Sequence, residues 1–284
     1  MKQFIWMLCG IFISGLLLGT LSACGADQFG VTVITTAKGP AAGADPAPAE
    51  AEIPAEAPAE DTERRLAYGK ALWDAYQQGV LPGGDPLDWL DLESAATNAF
   101  ALWDVDGDGE EELLLNWTNA GMAGMMCVVF GYRDGSVYEE LREFPSIAFY
   151  DNGVAEADWS HNQGLGGRFW PFSAYRYNGE SGVYESVGGV DAWDGGYRDP
   201  DFDGNPFPHE LDADGDLLLY FLLPANWQGQ YDMDLTDGPA FENWRNTYLD
   251  GAEKIEIPFQ PLTEENIAAL GYPKPGVTYP EPAG

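Results

Sequence analysis

The stretch from Phe100 to Trp117 constrains the fold more than any other part of the sequence, because it reads as a strand, an acidic loop and a second strand. Asp104, Asp106 and Asp108 alternate within the loop, and Gly109 permits a sharp turn. Carboxylates this close repel one another by about 4 kcal/mol per pair at about 4 Å in a partly screened setting. We therefore expect a cation between them, and an ion-free, solvated acidic turn is the alternative.

The spacing of the acids is that of oxygen ligands around calcium. In such loops, side chains at positions 1, 3 and 5 bind the ion, position 7 supplies its carbonyl oxygen, and position 9 binds directly or through water. The sequence has Asp104, Asp106, Asp108, Glu110 and Glu112 at these positions. Position 12, where an EF-hand has a bidentate glutamate, is Leu115.

The loop therefore departs from the EF-hand and resembles the strand-flanked calcium loops of FG-GAP and VCBS proteins, in which an acid at position 9 replaces the missing glutamate. The resemblance covers only the loop and its flanks. It implies a calcium cofactor and an extracellular setting, but not a complete propeller, because the sequence contains no regular repeat of blades.

The N-terminus has the features of a bacterial lipoprotein signal peptide. Lys2 is positive, Phe4 to Thr20 is largely apolar, and Leu21-Ser22-Ala23-Cys24 matches the lipobox. This resemblance to surface lipoproteins implies that residues 1–23 are removed, that Cys24 carries a lipid, and that the protein lies on the outer face of the cytoplasmic membrane. A transmembrane anchor or plain secretion is the alternative, but the apolar run is short for a membrane span.

Residues 24–60 form a predicted tether rich in alanine, proline and glutamate. The segment from Pro46 to Glu63 reads PAPAEAEIPAEAPAEDTE, in which proline prevents a continuous helix and few side chains can be buried. Residues 61–284 are expected to form one globular domain, which is long enough to bury a core without disulfides.

Composition excludes several classes of function. The formal net charge of −34 repels phosphate backbones, so nucleic acid is not an expected partner. Cys127 is the only thiol left in the lipidated chain, and its apolar neighbours predict a buried, inert side chain. With that thiol and 2 histidines, a tetrahedral zinc site is not expected.

The pattern of apolar residues predicts an α+β fold, mainly antiparallel sheet, with a helix at its start and helices at its end. The first helix is capped by Asp61 or Thr62 and has Leu66, Trp73, Tyr76 and Val80 on one face. The last helices cover Pro239 to Leu249 and a short segment capped by Thr263, and a short strand precedes the latter at Lys254 to Ile257. Asp134-Gly135 and Asn178-Gly179 predict tight hairpin turns.

A second metal site is predicted from Asp199, Asp201, Asp203 and Glu210, which match the EF-hand spacing. However, Pro206 and Pro208 interrupt it, and the flanks do not read as helices. A third acidic cluster, Asp212, Asp214 and Asp216, either completes this site or ends the loop before the next strand.

The segment from Asp158 to Trp170 is the other candidate for chemistry, because it combines His161 and Arg168 with two tryptophans and a flexible glycine run. It is interpreted either as a surface loop or as a pocket for a sugar ring. No catalytic residue is assigned. We expect a monomeric binding or adhesion module with a glycan or cell-wall ligand, and the alternative is an exported hydrolase acting on polysaccharide or cell-wall material.

Overall fold

Two antiparallel sheets form the centre of the fold in the computed structural model, which describes residues 59–88, 97–225, 227, 234–272, 274 and 276. All of these residues belong to one compact unit, Ala55–Gly284. Within these ranges, no helix has both the length and the apolar character that crossing a lipid bilayer requires.

As predicted from the sequence, a helix comes first, the main strands follow, and helices lie near the end of the described residues. The helices are α1 Ala59–Gln78, α2 Gly238–Leu249 and α3 Glu264–Ala269, and a short 3-10 turn covers Met122–Gly124. The strands are β1 Ala99–Trp103, β2 Glu112–Trp117, β3 Met126–Arg133, β4 Ser136–Glu143, β5 Ile147–Tyr150, β6 Val154–Asp158, β7 Phe172–Asn178, β8 Val183–Asp194, β9 Leu218–Leu223, β10 Leu235–Thr236 and β11 Gln260–Pro261.

The first sheet has five strands in the order β11-β1-β2-β3-β4, and the second has six in the order β10-β9-β8-β7-β6-β5. Most neighbours in each sheet are consecutive in sequence, which is the pattern of hairpins. The exception is β11, which comes late in the chain and pairs with β1, and both two-residue strands, β10 and β11, lie at sheet edges.

The core lies on both faces of the first sheet because its strands alternate. In β2, Leu113 and Leu115 pack with Leu72 of α1, whereas Leu114 faces the opposite way and packs with Phe149 and other residues of the second sheet. The outer face of the second sheet is covered by α2, whose Phe241 stacks on Tyr220 with ring centroids 4.4 Å apart. The loop between β1 and β2 lies beside the junction of the two sheets.

The structure confirms the α+β class with mainly antiparallel sheets. Thr263 caps α3 through its side chain, as predicted, and Asp134 and Gly135 join β3 to β4 with φ of 53° and 79°. Cys127 is also buried as predicted, and burial raises the pKa of its thiol to about 12.

The bounds of α1 differ from the prediction. The helix begins at Ala59 and ends at Gln78, so neither Asp61 nor Thr62 caps it, and Val80 lies beyond its end.

Three further local predictions are wrong. Leu66 is half exposed, because the buried stripe of α1 runs instead through Tyr68, Leu72 and Ala75. Lys254 to Ile257 is not a strand, and only Lys254 forms a bridge, with Tyr150. The Asn178-Gly179 turn is longer than predicted, since β8 begins at Val183 and the Asn178 side chain accepts a hydrogen bond from the Glu180 amide.

Candidate metal centre

The acidic loop connects β1 to β2, so both of its ends are fixed by the first sheet. β1 ends at Trp103 and β2 begins at Glu112. Asp104, Asp106 and Asp108 each direct one carboxylate oxygen to a common point, where the three oxygens lie within 4.8 Å of one another. The structure thus brings together three of the five residues predicted to bind calcium in one group.

Hydrogen bonds within the loop hold these carboxylates in place. The amide of Gly107 donates to Asp104 Oδ1 at 2.8 Å, the amide of Asp108 to Asp106 Oδ1 at 2.9 Å, and the amide of Glu110 to Asp108 Oδ1 at 2.8 Å. Gly107 and Gly109 have φ of 83° and 92°, a conformation that glycine adopts without strain. These hydrogen bonds fix the turn, and each carboxylate keeps acceptor capacity for a cation.

Glu110 and Glu111 direct their side chains away from the loop centre and toward α1. Arg64 pairs with Glu110 at 2.7 Å, and Arg65 pairs with Glu111 at 2.8 Å. The predicted ligand of Glu110 is its backbone carbonyl oxygen, so the ion pair of its side chain does not conflict with that assignment. These contacts attach the loop to the first helix.

On its other side, the loop contacts the second sheet. The Tyr184 hydroxyl of β8 donates to the carbonyl oxygen of Val105 at 2.9 Å. Gly153, in the turn between β5 and β6, approaches so closely that a Cβ atom there would lie 2.9 Å from the Asp106 carbonyl oxygen. The loop is therefore held between α1 and both sheets.

Glu112, the fifth predicted ligand, points into the protein and not toward Asp104 and Asp108. It accepts a hydrogen bond from the Val105 amide at 2.9 Å. Its carboxylate oxygen lies within 4.8 Å of oxygens of Asp106 and of Glu140 from β4. The exposed fractions of Asp106, Glu112 and Glu140 are 8%, 3% and 5%, so this group is almost completely enclosed.

Burial raises the pKa of each of these three carboxyl groups. Burial and the nearby charges of Asp106 and Glu140 raise the pKa of Glu112 to about 9, with only partial opposition from the Val105 amide. Burial likewise raises the pKa of Glu140 to about 8 and that of Asp106 to about 6. Without a cation, these groups hold their protons more tightly than carboxyls in water.

The second predicted site is not assembled in this way. Asp199 Oδ1 accepts a hydrogen bond from the Phe207 amide at 2.9 Å, and Asp201 Oδ1 accepts from the amides of Asp203 and Asn205. In the part of the chain that the structure describes, acidic side chains converge in groups of three or more at three places, none of which includes Asp199, Asp201, Asp203 or Glu210. That site stays a prediction.

The third acidic cluster has a different composition from the predicted one. Asp212 and Asp214 converge with Asp237, which also caps α2, and Asp216 is not a member of the group. The carboxylates of Asp212 and Asp214 accept backbone amides of their own loop. They are at least partly exposed, so this group alone indicates an acidic surface turn.

In the His161 segment, Ser160 Oγ lies 3.0 Å from His161 Nδ1. Neighbouring side chains of a strand point to opposite faces, but these residues lie in a bend outside β6, which allows the contact. His161 lines a 340 Å³ pocket with Glu143 and Trp159. Arg168 is not part of that lining, because its guanidinium pairs with Asp194 at 2.8 Å.

No protein-family model, curated protein or solved structure matches this chain. The lipoprotein prediction depends on Cys24 and on the segments 1–23 and 24–60. These lie outside the described residues, except for the last two positions of the tether. The features that bear on function are therefore the geometry of the acidic loop and the sequence before it.

Proposed function

We propose that this chain is a lipid-anchored, extracytoplasmic calcium-binding protein whose domain serves as a binding or adhesion module. The strongest support for bound calcium is Asp106 Oδ2, which is buried without a hydrogen-bond partner. The Asp106 carboxylate lies within 4.8 Å of the carboxylates of Asp104 and Asp108. An unpaired buried carboxylate oxygen is costly, and a cation removes that cost.

The ligand set suits calcium better than a transition metal. It consists of carboxylate and carbonyl oxygens, which hard cations prefer, and it contains neither a thiolate nor an imidazole. Calcium also tolerates the irregular geometry that a turn provides, whereas magnesium requires an almost ideal octahedron.

The calcium ion is expected to be structural, since the loop joins α1 to both sheets. An ion that binds only the folded chain stabilises it by about 2.7 kcal/mol when free calcium is a hundred times the dissociation constant. Thermal melts should therefore show a higher midpoint in calcium than in chelator. Asp108→Asn should reduce this difference, while Asp85→Asn, an exposed aspartate outside the loop, should preserve it. Equal midpoints with and without calcium in the unmodified protein would contradict a stabilising ion.

The lipid anchor is tested separately from the ion. Full-length protein expressed in a bacterium with a labelled fatty acid should carry the label and partition into the detergent phase, because lipid is attached to Cys24. Cys24→Ala should abolish both, and Cys127→Ala, which removes a buried thiol, should leave both unchanged. Label on the Cys24→Ala variant would argue against the lipobox.

An apolar groove beside β9 and β10 supports the binding role. It has a volume of 610 Å³, and its lining combines exposed apolar side chains with acids, including Phe202, Leu211, Leu235, Asp201, Asp203 and Asp234. Phe202 is 63% exposed, and the Arg198 guanidinium lies 4.2 Å from the centroid of its ring, which holds the ring at the edge of the groove. Flat rings with neighbouring carboxylates suit the faces and hydroxyls of sugar rings.

A screen of glycans and cell-wall fragments with and without calcium tests this surface. We expect at least one class of fragment to bind, with about tenfold weaker binding in Phe202→Ala, the loss of roughly 1.4 kcal/mol. Phe259→Ala, an exposed aromatic residue outside the groove, is the matched control. Equal binding by the two variants would remove the groove from the proposal.

The hydrogen bond between Ser160 and His161 supports the second candidate, an exported hydrolase. In that case the same screen should release shortened fragments, and His161→Ala should abolish their release. Fragment binding without cleavage favours the binding module. Cleavage that persists in His161→Ala would exclude the role assigned to this residue.

A further inference from the structure

We propose that a second hard divalent cation, calcium, binds inside the domain between Asp106, Glu112 and Glu140. This inner site rests on the proposed function for the identity of its ion. It shares only Asp106 with the loop site, which is formed by Asp104, Asp106 and Asp108. Its distinctive ligand is Glu140, which belongs to β4 and is remote in sequence from the loop.

The geometry separates the inner site from the loop site. Two oxygens bound to the same calcium ion at 2.3–2.6 Å cannot be more than roughly 5 Å apart. Asp104, Asp106 and Asp108 satisfy this limit as one group. Asp106, Glu112 and Glu140 satisfy it as a second group. The five residues together do not form a single group. In this arrangement one ion cannot reach all of these carboxylates, so two ions with Asp106 between them account for the full set.

Unpaired buried oxygens are the second observation that points to an ion. Asp106 Oδ2 and Glu140 Oε2 are inaccessible to solvent and have no hydrogen-bond partner. Among the described residues, no arginine or lysine lies within ion-pair distance of Asp106, Glu112 or Glu140. Buried carboxyl groups pair with a cationic side chain, bind a metal or keep their protons, and a metal is the one of these that would also satisfy both unpaired oxygens at the point where the three carboxyl groups converge.

The backbone is shaped to bring Glu140 to this point. Val129 pairs with Leu141 and Phe130 pairs with Glu139, so Glu140 is the additional residue of a β-bulge. A bulge redirects a side chain that regular alternation would place on the other face. Opposite it, Gly131 leaves room for the carboxylate, because a Cβ atom at that position would lie 2.0 Å from Glu140 Oε1.

The inner ion would add a direct link between the acidic loop, β2 and β4. Asp106 belongs to the loop, Glu112 begins β2 and Glu140 lies in β4, while Val105 beside them accepts the hydrogen bond from Tyr184 of the second sheet. The ion therefore fixes the end of the first sheet at its junction with the second sheet.

Calorimetric titration of the chelator-treated, full-length protein in detergent with calcium chloride tests the inner site. Glu140→Gln preserves the shape of the side chain and should bind one calcium ion fewer than the unmodified protein. Glu139→Gln, the exposed neighbour, is the matched control and should lose none. Asp108→Asn reports on the loop ion alone, so a failure of the inner site and a failure of the loop site give different results.

Equal calcium stoichiometry in Glu140→Gln and the unmodified protein would overturn the inner site, whereas an unchanged stoichiometry in Asp108→Asn would overturn the loop site. A second measurement does not depend on any variant. In crystals soaked with terbium chloride, anomalous density in contact with Glu112 and Glu140 would support the inner site, and density confined to Asp104 and Asp108 would refute it.

Discussion

With calcium chelated, the protein is expected to lose stability steadily as the pH rises from about 5 to about 9. Glu112 and Glu140 have pKa values of about 9 and about 8 in the folded chain, compared with 4.5 as the ordinary value. Between these values the folded chain holds more protons than the unfolded chain, so raising the pH favours unfolding. The stability from these two groups is therefore fully present below pH 4.5 and is lost as the pH rises through about 8 and about 9.

The size of the effect is large because both groups are buried. A tenfold change in proton affinity is worth about 1.4 kcal/mol, so even a hundredfold change in each group amounts to roughly 5 kcal/mol. For a domain of this size, that loss lowers the melting midpoint by roughly 10–20 °C. Melts in chelator across this pH range provide the measurement.

Two controls isolate the carboxyl groups from the general charge of the protein. Saturating calcium should abolish most of the slope, since a bound ion keeps the carboxylates ionised at every pH in the range. Glu112→Gln combined with Glu140→Gln should also flatten it in chelator, because neither side chain then titrates. A midpoint in chelator that rises with pH would show that these groups are not buried as described.

Arg245→Met is expected to destabilise the protein by about 3 kcal/mol, the lower end of the range for removing one partner of a buried ion pair. Arg245 Nη2 of α2 lies 2.7 Å from Glu156 Oε2 of β6, and the hydroxyls of Tyr150 and Tyr248 donate to the same carboxylate. The variant keeps the apolar stem of the side chain but leaves Glu156 buried beside two hydroxyls without a cation.

Urea unfolding measures this effect, and Arg142→Met is the matched control. Arg142 pairs with Glu139 at the surface, where such a pair contributes about 0–1 kcal/mol. Although burial acts to raise the pKa of Glu156, the hydrogen bonds from Arg245, Tyr150 and Tyr248 outweigh it and lower that pKa. The stability from this pair is therefore present above the ordinary value of 4.5 and is lost as the pH falls through the lower folded value. Similar losses in the two variants at neutral pH would contradict the role of Arg245.

The order of the elements could be predicted from the sequence because their signals are local. The apolar run of β2 and the turn residues Asp134 and Gly135 depend only on neighbours in the chain. The two-residue strands β10 and β11 were missed, because they are too short to have an apolar pattern of their own. Each is defined only by its pairing, β10 with the preceding strand β9 and β11 with the distant strand β1.

The candidate site was predictable only in part, for a similar reason. Asp104, Asp106 and Asp108 follow a spacing visible in the sequence, and the structure brings them together. Glu140 could not be recognised, because Glu139 and Glu140 are adjacent and only the bulge decides which one points inward. The available signal was Gly131 in the facing strand, which has meaning only once the pairing of β3 with β4 is known.

The pairing of β11 with β1 also determines how late the domain can close. Gln260 lies opposite Phe100, and Ile267 of α3 packs into the same core as Leu72 of α1. In the exported chain proposed above, the early segments cross the membrane first and lack these partners until the segment that contains α3 has followed. Until then the edge of β1 is open to other chains, and an extracytoplasmic chaperone that shields it should raise the yield of folded protein.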